Sequence, residues 1–206
     1  ASNEIAVVRI EGTWTNPDTT AVTIDGWTTG VNNYIKIYTA PEARHGGVWD
    51  NTKYRLSNSG RAIYNVEPYV RIDGIQIDNK TSTSQGMLSY QSGVEISNSI
   101  IKNSNIGLYL SGDNVKVKNC LIYDSNFGLR FTGTNGFFYN CTYANNATAV
   151  YLDAKSSTLK NSIFTDNTTD MSSSGLGVSQ TTYSVTDLSQ SSSGMPADQS
   201  NKFSQT

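Results

Sequence analysis

The sequence predicts an all-β solenoid: a chain wound into stacked three-sided coils of about 21 residues each. Three features require it. Asn98, Asn119, Asn140 and Asn161 recur at a constant interval of 21 residues. Their neighbours recur with them. Ser99, Cys120, Cys141 and Ser162 follow the Asn; Ile96, Val117, Phe138 and Leu159 lie two residues before it; Ile101, Ile122, Tyr143 and Phe164 lie three after. Each copy alternates apolar and polar residues over short runs, as in Leu108-Tyr109-Leu110 and Val115-Lys116-Val117, and no window repeats apolar residues at helical spacing.

One such coil cannot bury its own inner face, so neighbours must supply the core. Parallel stacking at about 4.8 Å superposes equivalent residues. The four Asn then form a ladder at one corner, each amide reaching the next, and Asn tolerates the left-handed backbone of a sharp turn. Asn103, Asp124, Asn145 and Asp166 mark a second corner. Cys120 and Cys141 share the inward slot after the first corner. One strand spacing brings their Cα atoms within disulfide range, but parallel inward Cβ vectors favour two buried thiols. A leucine-rich repeat needs a longer apolar frame and a helical return, and neither is present.

The pattern apolar-x-apolar-x-Asn-Cys-x-apolar-x-Asp/Asn-Ser/Asn-x-x-Gly-apolar is strong over residues 94–170 and weaker over 62–93. It resembles the right-handed parallel β-helix repeat of the pectate-lyase-like superfamily. The chain also resembles a group of secreted bacterial β-helix proteins. In these a segment like Arg44-His45-Gly46-Gly47-Val48-Trp49 precedes one like Tyr69-Val70-Arg71-Ile72-Asp73-Gly74-Ile75-Gln76-Ile77, and a tail like Ser184-Val185-Thr186-Asp187-Leu188 recurs. The resemblance implies a right-handed coil and an extracellular or cell-surface location. It does not fix function, because one fold hosts many chemistries.

Taken in order, residues 1–188 form one β-helix domain, irregular over 1–61. Ile5 to Ile10, Ala21 to Ile24 and Tyr34 to Tyr38 read as early strands. Residues 39–61 are the longest interruption, a loop carrying His45, the one histidine, and Trp49. Regular coils run over 62–170. The step from Asn79 to Asn98 is 19 residues, which makes one coil two residues short. Residues 171–188 read as a decaying coil, and 189–206 as a loose Ser/Gln/Asn-rich tail. No capping segment is visible before Ile5 or after Leu188, so either the chain is a piece of a longer one or its open strand edges are covered by other copies, as a homo-oligomer or head-to-tail filament.

Ser, Thr and Asn make up 70 of the 206 residues, which suits a turn-dense β protein. The formal net charge of −2 gives no electrostatic reason to expect nucleic acid as a partner. No apolar run approaches the roughly 20 residues of a membrane span. Asn79, Asn140, Asn146 and Asn167 each begin an Asn-x-Ser/Thr triplet, a frequency that composition alone explains.

No catalytic, metal or cofactor constellation emerges. The lyase and hydrolase motifs that the superfamily resemblance brings to mind are absent. Asp73 and Asp78 are an odd number of residues apart, so they face opposite ways on one strand. Asp124 and Asp166 fall two coils apart, in a corner column. His45 has no partners at metal-ligand spacing. Surface rows say more. Tyr109, Arg130 and Tyr151 make an aromatic–guanidinium ladder that could hold a polysaccharide, with Trp49 and His45 as further sugar-contacting candidates. Lys118, Tyr139 and Lys160 form a second row. Ile100, Leu121, Thr142 and Ile163 form an outward apolar stripe suited to a protein contact. The expected function is a non-catalytic extracellular structural or adhesive solenoid. The alternative is a polysaccharide-active enzyme or a glycan-binding tailspike-like module.

Overall fold

From Tyr69 to Asp166 each coil turns at three corners, held by residues in the left-handed region. At the first these are Gly74, Asn98, Asn119, Asn140 and Asn161; at the second Asn103, Asp124, Asn145 and Asp166; at the third Tyr69, Gly93, Asn114, Asn135 and Ser156. In the non-glycine corner residues φ lies between 50° and 64°, which costs Asn and Asp less than other side chains. The computed structural model describes residues 4–153, 156–173, 180–182, 184–189 and 201–203, and nothing among them is helical.

The corners divide the wall into three faces. The first is an eight-stranded sheet that begins with β1 (Ala6–Ile10), continues through residues 70–73, 95–97, 116–118, 137–139 and 158–160, and ends at 180–182. The second and third belong to one twelve-stranded sheet, because strands Gln76–Ser89 and Ile100–Leu110 run unbroken around the second corner. β2 (Val22–Ile24) extends the third face, and β3 (Ile35–Thr39) lies between β1 and Val70–Asp73 on the first. Pairing is parallel on each face, with the 21-residue step in Val117↔Phe138, Ile122↔Tyr143 and Leu129↔Val150.

The apolar residues of these strands meet inside. Ile96, Val117, Phe138 and Leu159 line the first face; Ile77, Ile101, Ile122, Tyr143 and Phe164 the second; Met87, Leu108, Leu129 and Val150 the third. Phe131 meets Phe138 edge-on at 5.3 Å, and Tyr143 stacks on Phe164 at 5.2 Å. Two inward columns are polar. Ser99, Cys120, Cys141, Ser162 and Ser184 follow the first corner, and there backbone N–H groups donate to the next hydroxyl: Ile75 to Ser99 at 3.3 Å, Cys141 to Ser162 at 3.4 Å. Ser104, Ser125, Asn146 and Asn167 do the same after the second corner. Corners leave N–H groups that no strand partner takes, and these side chains satisfy them within the core.

The structure corrects three expectations. The irregular coil is longer, not shorter. Ile77 pairs with Ile101 and Met87 with Leu108, so three extra residues bulge at Asp78/Thr81 and Thr81/Gln85. Gly74, not Asn79, stands before Asn98 at the first corner, and Asn79 is buried. Residues 39–61 are not one loop. Only 40–55 leave the coil, as an enlarged first corner, and Leu56–Ser57 returns as a strand beside Ile77 and Asp78. Nor is the end of the chain wholly loose. Gln180–Thr182 and Val185–Thr186 complete a further coil, Lys202 bridges to Val185, and Phe203 packs on the core. Residues 174–179, 183, 190–200 and 204–206 of the expected decaying coil and tail lie outside the described residues.

Candidate functional site

The enlarged first corner brings the most chemistry together. Arg44 donates to Asp73 through both terminal nitrogens, at 2.8 and 3.2 Å. Ser97 Oγ and Asn98 Nδ2 donate to the same carboxylate, at 2.7 and 2.5 Å. Burial works against the charge on Asp73, but these hydrogen bonds outweigh it and hold the carboxyl below its ordinary range. Beneath the guanidinium lies Gly74, at φ +79°, where a Cβ would come within 2.7 Å of Arg44 Cζ. From Asp73 the ladder runs on: Asn119 Nδ2 donates to Asn98 Oδ1 at 3.1 Å, and Asn140 Nδ2 to Asn119 Oδ1 at 3.2 Å. Asn161 continues the column at φ 53°.

His45 does not face solvent. It is buried, its Nδ1 accepts from the Gly47 N–H at 3.1 Å, and burial holds its imidazole below its ordinary pKa. Trp49 is half-buried, and the Lys102 ammonium stands 4.0 Å from its ring centroid. The corner is fastened further on. Gln76 accepts from the Asp50 N–H at 2.7 Å and donates to the carbonyls of Asp50 and Tyr54. Three further carboxylates are similarly engaged. Asp78 accepts from Asn103, Asp124 from Asn145, and Asp187 from the backbone of Asp166. No cluster of three potential metal ligands occurs among the described residues.

The third face carries the aromatic row. Register places Tyr109, Arg130 and Tyr151 one above another. The Arg130 guanidinium lies 5.2 Å from one ring centroid and 5.4 Å from the other, so each ring gives a face to it. Tyr90 and Phe127 meet the outer rings edge-on, at 6.0 and 5.9 Å. Tyr34 and Tyr64 also hold cations, from Arg71 and Arg61. On the first face Lys118, Tyr139 and Lys160 stack, with Lys118 ion-paired to Glu95.

The apolar row of the second face is in register from Ile100 through Leu121 and Thr142 to Ile163, and continues to Val185. It is not an exposed stripe throughout. Ile100 is buried, because the 40–55 segment crosses over its register partner Gln76; Ile163 and Val185 are half exposed. Cys120 and Cys141 are buried free thiols, in contact with the carbonyls of Lys118 and Tyr139 at 3.3 Å. Sequence reasoning missed the Arg44–Asp73 clamp, whose members are 29 residues apart and outside the repeat.

A family model described as "Right handed beta helix region" matches residues 55–192. Comparison with curated proteins gives no match. Among solved structures the fold is similar to "Crystal structure of pectate lyase Pel9A", with a TM-score of 0.63 at 15% identity over 90% of this chain. The chain spans 54% of that lyase's length.

Proposed function

The chain belongs to the right-handed β-helix family, and on that premise we propose that it is a rigid, non-catalytic structural or adhesive module that works outside the cell. One observation supports this best: the carboxylates and the Tyr and Trp residues that the sequence singles out are engaged with neighbouring side chains. Asp73 is held by Arg44, Ser97 and Asn98, and Asp78 by Asn103. Tyr109 and Tyr151 share Arg130, and Trp49 holds Lys102. Acid–base chemistry needs a carboxyl within reach of a substrate oxygen and free to exchange a proton. Sugar stacking needs an aromatic face open to solvent.

The test is incubation of the whole chain with a panel of plant and bacterial polysaccharides, with and without Ca²⁺. Unsaturated products and new reducing ends are then measured. No product is expected above buffer; cleavage of any member overturns the reading. Glycan binding is the second reading, favoured by Tyr90, which is 52% exposed at the head of the aromatic row. It predicts that Tyr109→Ala and Tyr151→Ala each abolish retention on the glycan that the unaltered chain binds.

A further inference from the structure

The regular coils hold one group of reactive side chains that the proposed function leaves unused. Cys120 and Cys141 lie one above the other in the inward column after the first corner, 3% and 1% exposed. Their surroundings repeat. Cys120 Sγ is 3.3 Å from the Lys118 carbonyl oxygen and 3.9 Å from that of Ile96. Cys141 Sγ is 3.3 Å from the Tyr139 carbonyl oxygen and 3.8 Å from that of Val117. Two sulfurs with equivalent contacts in successive coils are displaced by one strand spacing, about 4.8 Å.

A sulfur–sulfur bond is only about 2.05 Å long, so the spacing is too wide for a disulfide unless backbone moves. It is close to twice a metal–thiolate bond, about 2.3 Å each. An ion midway between the sulfurs therefore meets both at bonding length, on a line, with the coil unchanged. A third group points to the same place. Tyr143, the next inward residue after Cys141, is fully buried, and its hydroxyl has no hydrogen-bond partner. That hydroxyl lies beside both sulfurs. An unpaired buried hydroxyl is costly, and a thiolate here would accept from it. The Ser99 N–H faces Cys120 Sγ and the Cys120 N–H faces Cys141 Sγ, so backbone donors favour negative charge on sulfur as well.

We propose that Cys120 and Cys141 hold one soft monovalent cation of the Cu(I) class, two-coordinate and linear, with the Tyr143 hydroxyl donating to the thiolate. Thiolate sulfur selects soft ions of this kind. Zn²⁺ takes four ligands, and no cluster of three potential ligands occurs among the described residues. Binding displaces one thiol proton to solvent. One thiolate, one thiol and the cation then leave the site neutral, as an apolar interior requires. Both sulfurs are closed off from solvent, so the ion enters as the chain folds. The site lies inside the coil and is independent of what the faces bind.

Refolding the full chain from urea with Cu(I), in anaerobic reducing buffer, tests this once free metal is removed by gel filtration. One copper per chain is expected to stay bound, with two sulfur neighbours by X-ray absorption and a raised melting temperature. Cys120→Ser and Cys141→Ser fill the slot as Ser99 and Ser162 do, so both should fold. Each should elute without copper and melt alike with and without it. Tyr143→Phe should keep the ion but lose it to a chelator at an affinity about tenfold lower or more. An unaltered chain that elutes without copper, copper retained by the double variant Cys120→Ser, Cys141→Ser, copper bound by three or more protein atoms, or unchanged affinity in Tyr143→Phe would each overturn the proposal.

Discussion

Arg44 grips Asp73 with two nitrogens of one guanidinium, at 2.8 and 3.2 Å, and so ties the enlarged corner of one coil to the Asn ladder of the next. Planar two-point contact of this kind is geometrically specific, and lysine cannot reproduce it. The pair is partly open to water, which screens it. Arg44→Ala is therefore expected to cost about 1–2 kcal/mol, and Arg44→Lys to recover only part of that. Hydrogen exchange of 40–55 should rise in both variants and most in Arg44→Ala.

The same pair makes the corner acid-sensitive. The folded-state pKa of Asp73 is lowered. Its contribution to stability is thus present above the unfolded value of about 3.9 and is lost as pH falls through the folded value. Amide exchange of 40–55 should accelerate on acidification below that value. Asp73→Asn should remove the pH dependence and leave the corner mobile at neutral pH.

Asp170 has the opposite sign. It is buried beside Asn167, whose Nδ2 donates to it at 3.1 Å, and Thr186, whose hydroxyl donates to its other oxygen. Burial pushes its carboxyl up. A raised folded pKa gives stability that is full below the unfolded value and is lost as pH rises through the folded one. Asp170→Asn is neutral, and it keeps the bond from Asn167 through its oxygen while its amide N–H donates to the Thr186 hydroxyl in place of accepting from it. It should raise the melting temperature at pH 7 and leave it nearly unchanged at pH 4.

Cys120 and Cys141 occupy a slot that Ser99 and Ser162 also fill, where Ser162 Oγ accepts the Cys141 N–H at 3.4 Å. The double variant Cys120→Ser, Cys141→Ser should lie within about 1 kcal/mol of the unaltered chain, because each hydroxyl gains a donor in place of a buried thiol. The hydrogen bond with Cys141, and then burial, push the Cys120 thiol up, and both sulfurs are shut away from solvent. Ellman's reagent should therefore react with the folded chain only at the rate of unfolding.

At the third corner Gly133 leaves no room. A Cβ there would lie 2.2 Å from the carbonyl oxygen of Gly112 in the preceding coil. Gly133→Ala should destabilise by about 2–4 kcal/mol, since backbone must move to admit it. Gly46→Ala, with nothing within 4 Å of the added carbon, should be neutral when both variants are compared with the unaltered chain by urea titration.

The coil was legible in the sequence because one residue type, Asn, meets two demands at each first corner: a left-handed backbone and a side chain that bonds its own copy. Four copies at constant spacing make that visible. The third corner has the same backbone but was not read, since Asn114, Asn135 and Ser156 share no single side chain and the glycines beside them act through backbone clearance. The extra residues after Asp78 sit in a bulge, which leaves no mark on hydrophobic alternation. The Arg44–Asp73 clamp joins an insertion to a regular coil, so no period reveals it. The occupation of the Tyr109 and Tyr151 faces by Arg130 follows from register, yet what that leaves open to a ligand needed coordinates. Asn201, whose Oδ1 accepts the Ser184 N–H at 3.1 Å, lies in a segment that composition alone reads as unstructured.

Because Asn119 and Asn140 occupy equivalent places with equivalent neighbours above and below, one whole turn between them is redundant in shape. Excising residues 120–140 would bring Asn119 onto Cys141, a junction of the same kind as Asn98 onto Ser99, and every surviving wall contact would be remade one level down. Unequal recombination within a gene of this design can therefore lengthen or shorten the product by complete turns without inventing a new interface. Reach along the axis can then change by whole turns while the ends stay as they are.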